Sequence, residues 1–251
     1  MSELVKKGAS IKSVENALAV LEVFGETDGD VRLGHLSQKL NINKSSLFRI
    51  LSTFVQRGYV EQIKKDGKYR LSVSAFEVGQ KFLSRMELLR KAKPIMVGLA
   101  RECDETVYLA VLAGREILLL DKVDTTNPVR IMPLVGKRYS LSQCAAGKVM
   151  QAYNCPERGC FSAEKPAFSE ESPDAIRQRG FVSDVDSLGD GIGCLAVPVL
   201  NARKQAFGCL CIVAPQYRFT EEKVQGYLLP RLMVAGQTVS SQLGYRGHHM
   251  P

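Results

Sequence analysis

The sequence predicts an α+β chain in two domains, a small helical one followed by a larger one built on a mostly antiparallel sheet. Three observations predict it. At 251 residues the chain is long enough for two separate cores. Apolar residues recur at helical spacing early in the chain. Past residue 105 they fall instead into short runs broken by turn residues. A hydrophobic fraction of 45% and a charged fraction of 24% are those of an ordinary globular protein.

Residues 13–26 (SVENALAVLEVFGE) set Val14, Ala17, Leu18 and Leu21 at helical spacing, with Ser13 available as an N-cap. After TDGD, the stretch LGHLSQKL lines Leu33, Leu36 and Leu40 on one face, and Asn41-Ile42 interrupts the pattern. NKSSLFRILSTFVQRG then places Leu47, Ile50, Leu51 and Phe54 at i, i+3, i+4 and i+7, with Gly58 where a helix C′ residue belongs. YVEQI and KYRLS read as two strands joined by the basic turn KKDG. Two short helices with a tight connection, followed by a basic hairpin, make a winged helix-turn-helix over residues 10–72.

Charge supports a nucleic-acid partner for that unit. Residues 1–93 hold 17 Lys and Arg against 10 Asp and Glu, whereas residues 94–251 hold 17 against 16. A concentrated basic segment suits a phosphate backbone, although charge alone favours a solvated face. With Leu47, Ile50, Leu51 and Phe54 turned to the core, the opposite face of the third helix carries Ser45, Phe48, Arg49, Ser52 and Gln56. Ser45, Phe48 and Arg49, in its N-terminal half, are the candidates for reading bases. Arg49 could grip guanine bidentately and Phe48 could pack on a thymine methyl, or Phe48 could simply pack on a neighbouring helix. Lys44 and Ser46 are placed for phosphates, and the wing residues Lys64, Lys65 and Lys68 for phosphates or the minor groove. Arg70 joins them, with an acidic neighbour as its competing partner.

Downstream, VSAFEVGQKFLSRMELLRKA is a helical stretch suited to a linker over residues 73–93, and Pro94 opens a further helix through Cys103. ETVYLAVLAG and REILLLDKV form a hairpin around Gly114-Arg115, and VRIMPLVG reads as a third strand. SQCAAGKVMQAY is a helix whose small residues Ala145, Ala146 and Gly147 leave amides open at its start. Such a mouth suits an anion, or else the small residues serve close packing on the sheet. GCLAVPVL and AFGCLCIVAP complete the sheet, and a closing helix over residues 220–244 is kinked at Pro230.

Several function classes are disfavoured. No apolar run approaches the roughly 20 residues of a membrane span. The N-terminus lacks the apolar stretch of a secretory signal, so a cytoplasmic protein is expected. The cysteines are Cys103, Cys144, Cys155, Cys160, Cys194, Cys209 and Cys211, without a C-x-x-C pair, and the histidines are His35, His248 and His249. Zinc spacing is therefore missing and no metal is expected. No P-loop or G-x-G-x-x-G occurs, so no cofactor is expected. The one internal histidine lies in the helix-turn-helix, which leaves a nucleophile without a base and argues against an enzyme.

SVENALAVLEVF, HLSQKLNINKSSLFRILSTFVQRGYV and KYRLS together resemble the DNA-binding domain of the isocitrate lyase regulator (IclR) family. SQCAAGKVMQAY, GIGCLAVPVLNARKQAFGCLCIVAP and VSSQLGY resemble its C-terminal domain, in the same order. The resemblance implies a transcription regulator of a catabolic operon, a repressor or an activator. It also implies a GAF- or profilin-like effector domain over residues 94–251, dimers that often pair into tetramers, near-palindromic operators, and a small organic acid as effector. Carried over by position, the effector site comprises Ile131, Met132, Ala145, Ala146, Gly147, Asp184, Cys194, Cys211 and Val213. Cys211 and Val213 stand where family members often have serines, which makes the pocket less polar and favours an effector with an apolar or aromatic body. Asp184 bonds a ligand hydroxyl or caps the turn in SDVDSLGDG. The alternative reading makes Cys144, Cys194, Cys209 and Cys211 a sensor of thiol oxidation or a soft metal, against the commoner role of cysteine as a core residue.

Overall fold

The computed structural model describes residues 10–27, 29–154 and 172–247. Cys155, Cys160, His248 and His249 lie outside the described residues. The chain divides into two compact units, Met1–Leu83 and Ser84–Pro251.

The first unit holds α1 (Lys12–Glu26), the two-residue strand β1 (Val31–Arg32), α2 (Leu33–Leu40), α3 (Lys44–Gln56), β2 (Val60–Ile63), β3 (Lys68–Leu71) and all but the last two residues of α4 (Val73–Arg85). Its core gathers Val20, Val23, Phe24, Leu36, Leu47, Leu51, Val60 and Tyr69. Ser13 is not the cap of α1: the helix starts one residue earlier, and Ile11 precedes it without a side-chain bond. Val14 and Leu18 are exposed, because α1 buries the stripe through Val20, Val23 and Phe24 instead. The cap that does form is Asn43, whose side chain accepts the Ser46 amide at 2.8 Å and starts α3. Gly58 closes α3 at φ +77°, a left-handed conformation that favours glycine. β1 adds a third strand to the predicted hairpin, in the order β1-β3-β2.

The second unit continues with α5 (Glu87–Cys103), β4 (Thr106–Ala113), β5 (Glu116–Val123), β6 (Arg138–Ser140), α6 (Ala145–Asn154), α7 (Pro173–Arg179), β7 (Val182–Val185), β8 (Ile192–Leu200) and β9 (Ala206–Pro215). A 3-10 turn (Gln216–Arg218), α8 (Glu221–Lys223), a π-helical turn (Val224–Leu228) and α9 (Leu229–Gln242) close the chain. The six strands pair antiparallel throughout, in the order β6-β5-β4-β9-β8-β7. One face of the sheet packs beneath α6, with Tyr108, Ile117, Cys194, Cys209 and Cys211 among its buried residues. The other face meets α5 and α9 through Leu109, Leu195, Leu210, Ile212, Leu99 and Leu232.

Three expectations are corrected here. Pro94 does not open a helix but lies inside α5; the break falls at Met86, whose ψ of 103° is extended. Pro94 is tolerated because it sits on the exposed face, where the freed carbonyl one turn back can meet water. Residues 129–136 form no strand. Pro128 and Pro133 remove donors there, and pairing with β5 resumes only where Gly136 donates to the Leu119 carbonyl. In the closing helix, Pro230 stands in the first turn of α9 directly after the π turn, which accommodates its missing N–H.

Candidate functional site

The first candidate site is the face of α3 turned away from the core. Lys44, Ser45, Phe48 and Arg49 are exposed, and Ser46 and Ser52 are half-buried. Phe48 is 55% exposed and contributes nothing to the core, so its packing alternative is not what the fold uses. Among the described residues nothing pairs with the Arg49 guanidinium, which borders a cleft of about 500 Å³ with Lys12, Asn16, Ser46 and Thr53. The Ser46 amide is already taken by Asn43. In the wing, Lys64 and Lys65 project from the turn between β2 and β3. Lys68 is half-buried and ion-paired with Asp66 at 3.5 Å, and Arg70 is paired across the hairpin with Glu61. The two turn lysines are thus the uncommitted charges, whereas a phosphate would have to compete for Lys68 and Arg70.

The second candidate site lies in the other unit, between the sheet and the start of α6. Strand register sets Asp184, Cys194, Val213 and Thr106 side by side on four neighbouring strands, β7, β8, β9 and β4. Cys211 falls in the next row, beside Ala196 and Tyr108. Ala145, Ala146, Cys194, Cys211 and Val213 are buried together in one cluster, against which Ile131 packs. Met132 does not join them and is 70% exposed. Gly147 has a steric reason to be glycine: a Cβ there would lie 2.2 Å from the Leu141 carbonyl oxygen.

Asp184 bonds within the turn that follows it and also reaches α6. It lies on β7, the edge strand, and its side chain is 11% exposed. Ser187 Oγ donates to its Oδ1 at 2.5 Å, and Lys148 Nζ approaches Oδ2 at 3.4 Å. The carboxylate is thus tied to the first turn of α6 through Lys148. Lys148 is the residue that sequence reasoning missed; its place one turn into α6, directly after Gly147, was the available signal.

Burial holds the Asp184 carboxyl above its ordinary value, despite Ser187, Lys148 and the Ala145 amide, which pull it down. The folded protein then binds this proton more tightly than the unfolded chain does. Stability from this group is greatest at acid pH and falls as pH rises from the ordinary aspartate value through the raised one. Asp184→Asn should remove that slope. In urea unfolding from about pH 4 to pH 7, the stability of wild type relative to the variant should rise as pH falls. A difference that stays flat over this range contradicts the assignment.

The thiols around the site are not poised to react. Burial pushes Cys144 up to about 12 and Cys103 up to about 11, and Cys209 stands well above the ordinary thiol value for the same reason. Cys194 is raised further by its hydrogen bond with Cys211, and by burial. Thiols held protonated and away from solvent are poor nucleophiles. Among the described residues no cluster of three or more His, Cys, Asp or Glu could hold a metal ion, and no helix is long and apolar enough to cross a membrane.

Comparison with known proteins gives the family. Residues 13–64 match the IclR helix-turn-helix domain, and residues 80–159 and 163–241 match the C-terminal domain of the bacterial transcriptional regulator IclR. The chain is similar to the HTH-type transcriptional regulator KdgR of Escherichia coli, with 30% identity over 98% of both chains. Its fold is similar to that of the Thermotoga maritima IclR crystal structure, with a TM-score of 0.73, 24% identity, and coverage of 94% of this chain and 100% of that one. An IclR homologue of Microbacterium hydrocarbonoxydans, crystallised with 4-hydroxybenzoate, has a TM-score of 0.72 at 21% identity, covering 92% of this chain and 99% of that one. With a winged helix-turn-helix ahead of a six-stranded antiparallel domain, and matches that run through both, the chain belongs to the IclR family of DNA-binding transcriptional regulators and not to a family of enzymes.

Proposed function

We propose that the protein works in the cytoplasm as a dimer, or a pair of dimers, on a near-palindromic operator of a catabolic operon, and that a small hydroxylated organic acid in the second unit controls it. The observation that carries the DNA half is the exposed N-terminal half of α3, where Arg49 has no partner among the described residues. Arg49 is the bidentate guanine reader and Phe48 the contact to a thymine methyl, with Ser45 and Ser52 beside them. Lys44, Ser46, Lys64 and Lys65 grip phosphates, and Lys68 and Arg70 contribute once released from Asp66 and Glu61. Arg49→Ala should weaken operator binding by about 1–3 kcal/mol, the range for one bidentate base contact. A gel-shift titration at fixed salt checks it, and unchanged affinity removes Arg49 from the readout.

Two apolar stripes favour self-association through the first unit. Ile11 just before α1 and Val14 and Leu18 on it are exposed, as are Val73, Phe76 and Phe82 on α4. Exposed stripes of this kind mark surfaces that another chain covers.

For the effector, Ile131, Cys194, Cys211 and Val213 supply an apolar wall, Ala145, Ala146 and Gly147 the floor at α6, and Met132 an exposed flank. Because the Asp184 carboxylate is tied to the first turn of α6, the polar group that meets it is a donor. A ligand hydroxyl fits there, with the ligand carboxylate turned toward Lys148. In titration calorimetry 4-hydroxybenzoate should bind about tenfold more tightly than benzoate, the share of one hydrogen bond to a charged group. Tight binding of glyoxylate with none of either aromatic acid overturns this ligand class.

A further inference from the structure

The segment between β5 and β6 crosses from Asp124 to Lys137 without regular structure, and it carries Ile131 and Met132. At its start, Thr125 and Thr126 hydroxyls donate to the Asp104 carboxylate, and Asn127 Nδ2 donates to the Asp104 carbonyl. At its far end the Leu134 amide donates to the hydroxyl of the fully buried Tyr108 at 3.2 Å. Between these ends Ile131 packs on the core and Arg130 ion-pairs with Asp124 at 3.8 Å, and among the described residues Arg218 is the side chain that hydrogen-bonds the backbone there. Both terminal nitrogens of Arg218 donate to the Val129 carbonyl, at 3.0 and 3.1 Å.

Arg218 is itself held from below. Its Nη2 donates to Glu105 Oε2 at 2.9 Å, and Lys223 Nζ donates to the other oxygen at 2.8 Å. The Glu105 side chain is 1% exposed and opens the row of strands on which Thr106, Val213, Cys194 and Asp184 lie. Tyr217 stacks its ring 5.5 Å from the guanidinium and accepts from Nη1. Arg218 Nε is buried and has no hydrogen-bond partner.

Stability is a weak reason for such a cluster. Burying a carboxylate costs several kcal/mol, and apolar residues of similar volume commonly stabilise a fold as well or better. An orphaned N–H adds to that cost. What apolar residues could not supply is a fixed pair of donors aimed at a backbone carbonyl of the segment that packs on the ligand site.

We infer that Arg218 is a positioning residue of the effector site, seated on Glu105 and Lys223, and that its grip on Val129 fixes the segment bearing Ile131 and Met132 over the sheet. The inference rests on the reading that the effector lies against Ile131. It differs from that reading in making residues remote from the ligand set the geometry of its cover.

The test uses the full-length chain. Arg218→Lys keeps the charge opposite Glu105 but loses the paired donors, and Arg218→Met loses both. Hydrogen exchange of the Asn127 and Leu134 amides, which flank the grip, should speed up about tenfold in both variants while the amides of β8 and α9 keep their protection. The thermal midpoint of Arg218→Lys should stay close to wild type. Binding of 4-hydroxybenzoate by calorimetry should weaken about tenfold in Arg218→Lys, with operator affinity of the ligand-free protein unchanged. Unchanged exchange at Asn127 and Leu134 in both variants overturns the inference, as does faster exchange with unaltered 4-hydroxybenzoate affinity. A wild type that binds no 4-hydroxybenzoate overturns the ligand class instead, and the exchange comparison then decides the role of Arg218 alone.

Discussion

Gly147→Ala should destabilise the second unit by about 3 kcal/mol or more while leaving the first able to fold. The added methyl would sit 2.2 Å from the Leu141 carbonyl oxygen and 2.7 Å from both the carbonyl carbon and Cα of the same residue. All three are backbone atoms, so no rotamer change relieves the clash. Either α6 lifts from the segment before it, or the Leu141 backbone moves together with the buried side chains of Leu141 and Cys144. Overpacking that a flexible side chain can absorb costs about 1–3 kcal/mol; here nothing flexible is in the way, and the loss should reach about 3 kcal/mol or more. Against a domain stability of about 5–15 kcal/mol, that is a large share. Urea unfolding followed by circular dichroism should show the main transition moved to lower denaturant, and a variant with the wild-type midpoint contradicts the packing.

Leu51→Ala should be almost as damaging, but to the other unit. Leu51 is fully buried on α3, in a core that also holds Leu36, Leu47 and Val60. Truncating a buried leucine costs about 2–5 kcal/mol, and a small domain has little stability in reserve. Operator binding should be lost together with helical signal and cooperative unfolding. Arg49→Ala, two residues earlier on the opposite face, should lower operator binding with the melting curve unchanged. The pair of variants separates a residue that builds the helix from one that reads with it. Equal thermal midpoints for the two proteins would contradict the placement of Leu51 in the core.

Much of this was legible in the chain because it is local. The i, i+3, i+4 spacing of Leu47, Ile50 and Leu51 and the KKDG turn specify the winged helix-turn-helix within a few residues of themselves. The hairpin of β4 and β5 around Gly114 is local in the same sense. What could not be read depends on contacts between distant positions. Asp184 meets Lys148 across 36 residues, and Arg218 meets Glu105 across 113. No periodicity records such pairs. The apolar run around Ile131 resembled a strand because composition alone marks strands poorly; the flanking prolines were the better guide. β1 is too short to leave any pattern.

The carboxylate at the mouth of α6 has a consequence for what the protein ignores. A bare helix start attracts any small anion, and a bacterial cell is rich in acetate, phosphate and the like. Here an arriving anion would face the carboxylate of Asp184, already bonded to Ser187 and Lys148. Its gain from the helix dipole is cancelled before it binds. The effector class proposed above differs in bringing a hydroxyl proton to Asp184 and in setting its own carboxylate against Lys148. On that effector reading, the internal carboxylate would disfavour a bare small anion at this helix start.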